Sequence, residues 1–198
     1  MKSIQSFLIV LSSMLFFCKC DSNAVSNAHS IDSLQTKTDV CVRPVSAADT
    51  STYICHNVEV KGDVEQPFSF TIDDLKKMKV VGIDTFNLVC QTGATLENNF
   101  GCKGVLLKDI LNKAKIKQTG HKDRNFYIVA RASDNYMATF SWSEIFNNIT
   151  GENTYVIFEE NGKPIQRKGE MILICINDIK TGPRHVFWLK SIEVYRVN

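Results

Sequence analysis

The sequence predicts an α+β domain, a mixed sheet with short helices inserted between its strands, and three observations predict it. Strand-like and helix-like runs interleave after Tyr53 without the regular alternation of a parallel strand–helix repeat. Two helix starts carry capping-box signatures, Thr71 with Asp74 and Ser141 with Glu144. Clusters of turn residues, such as Gly62-Asp63 and Ser133-Asp134-Asn135, interrupt the apolar runs.

Taken in order, Ile54 to Val60 alternates apolar and polar residues and predicts a strand broken by Gly62-Asp63. Thr71 then caps a short helix that runs through Lys77. Val80 to Cys90 is rich in β-branched residues and predicts a second strand, followed by a polar stretch, Gln91 to Lys103, that reads as a loop. Val105, Leu106, Ile110 and Leu111 recur at helical spacing and predict a helix through about Lys115. Asn125 to Ala132 is a strand ending in the Ser133-Asp134-Asn135 turn, and Trp142 to Asn147 is the helix that Ser141 caps. Thr154 to Glu159 and Met171 to Ile176 read as buried strands, separated by the turn Glu160-Asn161-Gly162-Lys163, and His185 to Arg196 closes the chain as a strand.

The remainder of the 198-residue chain divides into two parts. Residues 1–20 read as an export signal, with Lys2 as its basic start and Phe7 to Phe17 as an apolar run too short for a permanent membrane span. Cys18 and Cys20 add the alternative of a lipid-modified N-terminus, so the expected location is the periplasm or a lipid anchor on the membrane. Residues 21–52 are rich in Ser, Asp, Thr, Asn and Ala and poor in large apolar groups, and read as a flexible polar linker. The folded domain is then 53–198. Removing Lys2 and Lys19 from the 23 basic residues leaves 21 against 21 acidic ones, a near-neutral balance with no basic stripe, which argues against a nucleic-acid partner.

Cys41, Cys55, Cys90, Cys102 and Cys175 lie beyond the leader, an odd number. In an oxidising compartment the pairs Cys41–Cys55 and Cys90–Cys102 are open, although spacing does not settle connectivity. No CxxC, HExxH or zinc-spaced cluster occurs. Asp73, Asp74, Glu159 and Glu160 sit at element ends, where carboxylates cap and turn rather than act as a catalytic pair. Trp188, in an apolar run, reads as core, as does Trp142 beside its helix cap. His185 reads as a surface-strand neighbour of Arg184. Asn148-Ile149-Thr150 fits a glycosylation sequon, meaningful in a eukaryotic source.

A series of short motifs, in order and spacing, resembles the molybdopterin-binding domain of the sulfite oxidase family. The series starts at Val58-Glu59-Val60-Lys61-Gly62 with Pro67, and continues through Phe70-Thr71-Ile72-Asp73-Asp74-Leu75, Asn87-Leu88-Val89-Cys90 and Gly104 to Leu111. It then takes in Ser133-Asp134-Asn135-Tyr136, Asn161 to Ile165, Gly169, and Arg184 to Val194, so it spans nearly the whole domain. The resemblance implies a pterin or molybdopterin cofactor, with or without molybdenum. It implies that Cys90 holds the position of the family's molybdenum-ligating cysteine, where a soft thiolate suits a high-valent metal. From the residue pattern alone, Cys90 is equally a buried strand cysteine or half of a disulfide.

The resemblance further assigns Tyr136 to a pocket-facing tyrosine, with Ser133 and Asn135 on the same turn; Asn135 replaces the usual glycine and suits a left-handed position. Gln91 follows Cys90 and offers an amide, and Arg184 is a candidate anion contact. Two departures go with this assignment: Gly169 to Leu173 has no arginine, and Phe187 stands where a second lysine is typical. A phosphate is held by several charge-assisted donors, so the thinning of basic residues matters. Three functions follow. The first is an exported pterin-binding or sensing module that presents a small-molecule pterin to a membrane protein partner. The second is a molybdenum-cofactor-dependent oxidoreductase using Cys90 as metal ligand. The third is a scaffold in which Cys90 is tied to Cys102.

Overall fold

A computed structural model describes residues 50–197, so the predicted export signal and most of the predicted linker lie outside the described residues. Two five-stranded sheets with three short helices make up this part, as the predicted α+β class requires. The first sheet contains β1 (Val58–Gly62), β2 (Phe68–Phe70), β5 (Phe126–Ala132), β6 (Met137–Ser141) and β10 (Leu189–Arg196) in the order β2-β1-β10-β5-β6. It is a mixed sheet, because β1 runs parallel to β10 while every other pair is antiparallel. The second sheet places β3 (Val80–Val89), β4 (Thr95–Leu106), β7 (Thr154–Glu160) and β8 (Lys163–Pro164) in sequence, with β9 (Ile172–Cys175) paired to β7.

Both predicted capping boxes form. The Thr71 side chain accepts from the Asp74 N–H at 3.3 Å and caps α1 (Ile72–Lys76), and Ser141 does the same for α3 (Trp142–Phe146) through the Glu144 N–H at 3.2 Å. The helix over Val105 to Lys115 begins later than its apolar spacing suggests. Val105 and Leu106 finish β4, and α2 covers Leu107–Ala114. Leu107, Ile110, Leu111 and Ala114 form its buried face.

The core has two parts, one on each face of the second sheet. Val105, Val156, Phe158, Leu173 and Cys175 face the main cluster, with α2 and the inner face of the first sheet. Leu106, Tyr155, Ile157, Ile172 and Ile174 face the other way, beside Ile83, Phe86, Leu88 and Cys102. Burial on both faces explains why β9 reads as an unbroken apolar run, Ile172-Leu173-Ile174-Cys175, rather than an alternating one.

Two expected elements differ. The segment Gln91–Lys103 is not a loop. A tight turn, in which the Cys90 N–H donates to the Ala94 carbonyl and the Gly93 N–H to the Cys90 carbonyl, sends the chain straight into β4. Pairing along the length of β3 supplies ladder hydrogen bonds that override the weak strand propensity of Glu97-Asn98-Asn99. The final strand starts at Leu189 rather than His185, because Trp188 has a φ of 46° and breaks the extended run.

Candidate functional site

The residues singled out from the sequence come together around one connecting segment, Asn177 to Trp188, which links β9 to β10. Its anchor is Thr181, 3% exposed. The Thr181 hydroxyl accepts from the Val89 N–H at 2.8 Å and donates to the Asn87 carbonyl at 2.8 Å. These bonds satisfy backbone groups at the end of the edge strand β3, which would otherwise have no ladder partner on that side. The next residue, Gly182, lies against the same strand end. A side chain there would place its Cβ 3.0 Å from the Val89 carbonyl oxygen and 3.6 Å from the Cys90 Cα. Lys180 donates to the Gln91 carbonyl, so the hairpin turn after Cys90 is tied to the segment as well.

From the other side, the Tyr136 hydroxyl donates to the Pro183 carbonyl at 2.6 Å. The turn bearing Tyr136 is shaped by Asp134, whose carboxylate accepts from the Tyr136 N–H, and by Asn135, exposed and at φ 70°. The left-handed conformation expected for Asn135 is therefore present. Ser133 joins the turn to two places. Its N–H donates to the Trp188 carbonyl at 3.0 Å, and its hydroxyl donates to the Tyr53 carbonyl at 2.5 Å. Cys90, Gln91 and Tyr136 thus border one short segment that carries Arg184, with Ser133 and Asn135 at its edge.

Arg184 is placed differently from an open anion contact. Its Nε donates to Asp178 Oδ2 at 2.7 Å, Nη2 to Asp178 Oδ1, and Nη1 to Glu144 Oε1 at 2.9 Å. The guanidinium also stacks 4.6 Å over the Phe140 ring. Its hydrogen bonds to Asp178, with that carboxylate's charge, raise the guanidinium pKa further still. Every nitrogen of this fork is engaged with a carboxylate, which makes Arg184 the clasp of the segment. His185, expected on the surface, is 6% exposed and meets the Phe187 ring edge-on at 4.5 Å.

The cysteine pattern corrects two expectations. Cys55 and Cys102 are free thiols, so neither the Cys41–Cys55 nor the Cys90–Cys102 pair is formed. Burial pushes the Cys102 thiol pKa up, as it does for Cys175. Cys90 is 3% exposed and disulfide-bonded. A sulfur engaged in a disulfide has no thiolate to offer a metal. Among the described residues no group of three or more His, Cys, Asp or Glu side chains is arranged to hold a metal ion.

Three contributors were not among the site residues that the sequence suggested. Thr181 carries no motif, and only its two backbone partners mark it. Gly169, at φ 90°, comes so close to the tryptophan that a Cβ would sit 2.9 Å from the Trp188 Cα and 3.0 Å from its Cδ1. Trp188, read as core, is indeed 4% exposed, but its indole N–H has no hydrogen-bond acceptor among the described residues. A buried donor without an acceptor among the described residues suits the acceptor-rich edge of a pterin ring. The described residues therefore fit the pterin portion of a molybdopterin cofactor; with Cys90 in its disulfide they do not fit the metal portion.

Comparison with known proteins bears on the fold and the family. No curated protein matches the sequence. The structure is similar to the sulfane dehydrogenase SoxCD from Paracoccus pantotrophus, with a TM-score of 0.55 and 18% identity over 71% of this chain and 38% of that one. The chain thus spans well under half the length of that protein, and the likeness establishes the shared fold. The oxidoreductase molybdopterin binding domain matches residues 44–198, which is most of the sequence. The chain belongs to the oxidoreductase molybdopterin binding domain family, and molybdopterin is the cofactor class its sequence implied.

Proposed function

We propose that this chain is an exported pterin-binding module that captures a pterin or molybdopterin and presents it to a membrane protein partner, as a binding or sensing component. The observation that carries this reading is the state of Cys90: its sulfur is engaged in a disulfide while the Ser133–Tyr136 turn around the same segment is kept. A pterin is recognised through its ring edge and its face, neither of which needs the thiolate. Molybdenum chemistry of this family type needs it. The clasping of Arg184 by Asp178 and Glu144 supports the same reading, because it removes a phosphate-holding cation from use. Export and the membrane location rest on the sequence of residues 1–20 and on the presence of a disulfide, which persists in oxidising compartments.

The chain's own residues supply the binding chemistry. Ser133 offers a hydroxyl at the edge of the site, Tyr136 braces the segment through Pro183, and Thr181 fixes that segment to β3. The test is thermal unfolding of the non-reduced protein with increasing dihydroneopterin. A saturable rise in Tm is expected, since a ligand bound only by the folded state stabilises it in proportion to the logarithm of its concentration above Kd. A Tm that stays flat up to millimolar pterin, oxidised or reduced, would overturn the proposal.

A further inference from the structure

The near-neutral charge of the chain is unevenly spread. Between the last turn of α2 and the start of β5, residues 113–124 carry Lys113, Lys115, Lys117, Lys122 and Arg124 against one acid, Asp123. All five cations are exposed. Among the described residues none of the five has a carboxylate within ion-pair distance, whereas Lys61, Lys76, Lys77, Lys103 and Lys108 each have one. Like charges gathered without local compensation repel one another and raise the concentration of anions beside them.

The fold holds this loop in place. Asp123 accepts from the Thr119 N–H at 2.8 Å, from the Thr119 hydroxyl at 2.9 Å and from the Arg196 guanidinium, so its charge is used within the loop. The Gln118 amide donates to the Asp123 carbonyl at 2.8 Å. The Glu65 N–H donates to the Lys115 carbonyl at 2.7 Å and the Lys117 N–H to the Asp63 carbonyl at 3.0 Å, which ties the stretch to the chain after β1. Asp63 in turn accepts the Arg196 N–H, which leaves Glu65 as the exposed acid beside the cations. Thr119 to Asp123 line an open hollow. Val197, 56% exposed, lies at the same end of the sheet, its N–H donating to the Asn125 carbonyl at 2.7 Å.

The geometry points to this cationic loop as a docking surface for the anionic headgroups of a lipid bilayer. A plane of phosphate groups meets several cations at once, and an exposed apolar side chain such as Val197 suits the boundary beneath the headgroups. The inference rests on the membrane part of the proposed function and not on pterin binding. It also gives the domain an orientation. β5 runs for seven residues from this loop to the Ser133 turn, about 20 Å at ~3.3 Å per residue. A bilayer at the loop therefore leaves Ser133, Tyr136 and the segment bearing Arg184 at the far end, in water, where a soluble ligand can reach them. The predicted linker, 21–52, is long enough at about 3.3 Å per extended residue to return over that distance from a membrane anchor.

The experiment measures partitioning of the full chain onto sedimented phosphatidylcholine vesicles, with and without about one third phosphatidylglycerol. Attachment through the apolar run of residues 1–20 acts on both vesicle types, so the reading is their ratio. We expect a preference of at least about tenfold for the anionic vesicles, reduced by high salt and lost in Lys115→Gln/Lys117→Gln/Lys122→Gln. These three side chains make no hydrogen bond among the described residues, so the variant should keep the wild-type Tm. Lys76→Gln/Lys77→Gln/Lys79→Gln removes the same charge elsewhere and is expected to keep the preference. Equal partitioning of the wild type onto both vesicle types, or an equal loss in the second variant, overturns the inference in favour of an acidic protein partner or a merely solvated loop. Either result leaves the pterin reading, measured without lipid, standing. Should the first variant not fold, Lys122→Glu decides: a preference weakened about fivefold supports the docking surface, and an unchanged ratio overturns it.

Discussion

Arg184 and Trp188 stand at two ends of the same short connection, and they are opposites in how their polar groups are satisfied. The Arg184 fork is saturated, with Asp178 on one side and Glu144 on the other. The side-chain donor of Trp188, its indole N–H, has no acceptor among the described residues. Residue type alone ranks them the other way round, since an arginine near a family turn suggests a ligand contact and a tryptophan in an apolar run suggests core. The difference teaches that the charge of a side chain near a family turn can be spent entirely within the fold, and that residue type alone does not show which polar groups are satisfied.

The strongest way to break this comparison is Arg184→Ala. If the arginine is a clasp, its loss leaves Asp178, only 17% exposed, without a counter-charge and frees the segment from α3. We expect a loss of about 2–3 kcal/mol in chemical unfolding, below the range for fully buried pairs because the site is partly solvated. Unchanged stability with lost pterin affinity would instead restore Arg184 as a ligand contact. Gly169→Ala examines the Trp188 end. With φ at 90° and a Cβ 2.9 Å from the Trp188 Cα, the variant should lose about 2 kcal/mol and shift the tryptophan emission, read in a denaturant titration. A neutral outcome would mean the indole has room to move and is not pinned.

A smaller effect is expected at the anchor between the two. Thr181→Val keeps the shape but removes the hydroxyl that serves Val89 and Asn87, and should cost about 1–2 kcal/mol, measured by thermal unfolding. The smallest effect belongs to a second carboxylate-bound arginine, Arg131, on the first sheet. Its fork donates to both Glu193 oxygens at 3.0 Å and holds that carboxyl down at about 2, helped by the Tyr195 and Ser191 hydroxyls. The folded-state value lies below the unfolded one, so the contribution is present above about pH 4.5 and is lost as the pH falls toward 2. Urea midpoints of wild type should therefore drop more steeply over that interval than those of Glu193→Gln. Parallel curves would show that the pair is decoupled from folding.

Much of the fold was legible because local chemistry and tertiary structure agree. Thr71 and Ser141 cap where their side chains and third-position acids say they should, and β9 is apolar throughout because both of its faces are buried. β4 was not legible: Asn98 and Asn99 have low strand propensity, and their strand exists through pairing with β3, a long-range effect absent from the local pattern. The candidate site divided similarly. Tyr136 and the left-handed Asn135 could be placed from the turn sequence. That Cys90 is oxidised, that Arg184 is shared between Asp178 nearby and Glu144 forty residues away, and that the Trp188 N–H lacks a partner among the described residues follow from how the chain folds back on itself, which local sequence does not contain.

The central claim is that this member of the family binds a pterin without using Cys90 as a metal ligand, and molybdenum content tests it most directly. Protein should be purified without reductant from a host that makes the molybdenum cofactor, then assayed by elemental analysis beside Cys90→Ser. The account predicts molybdenum far below one atom per chain in both, with the pterin-induced rise in Tm retained. About one atom per chain in the wild type, abolished in Cys90→Ser, would contradict it and make the protein a molybdenum enzyme.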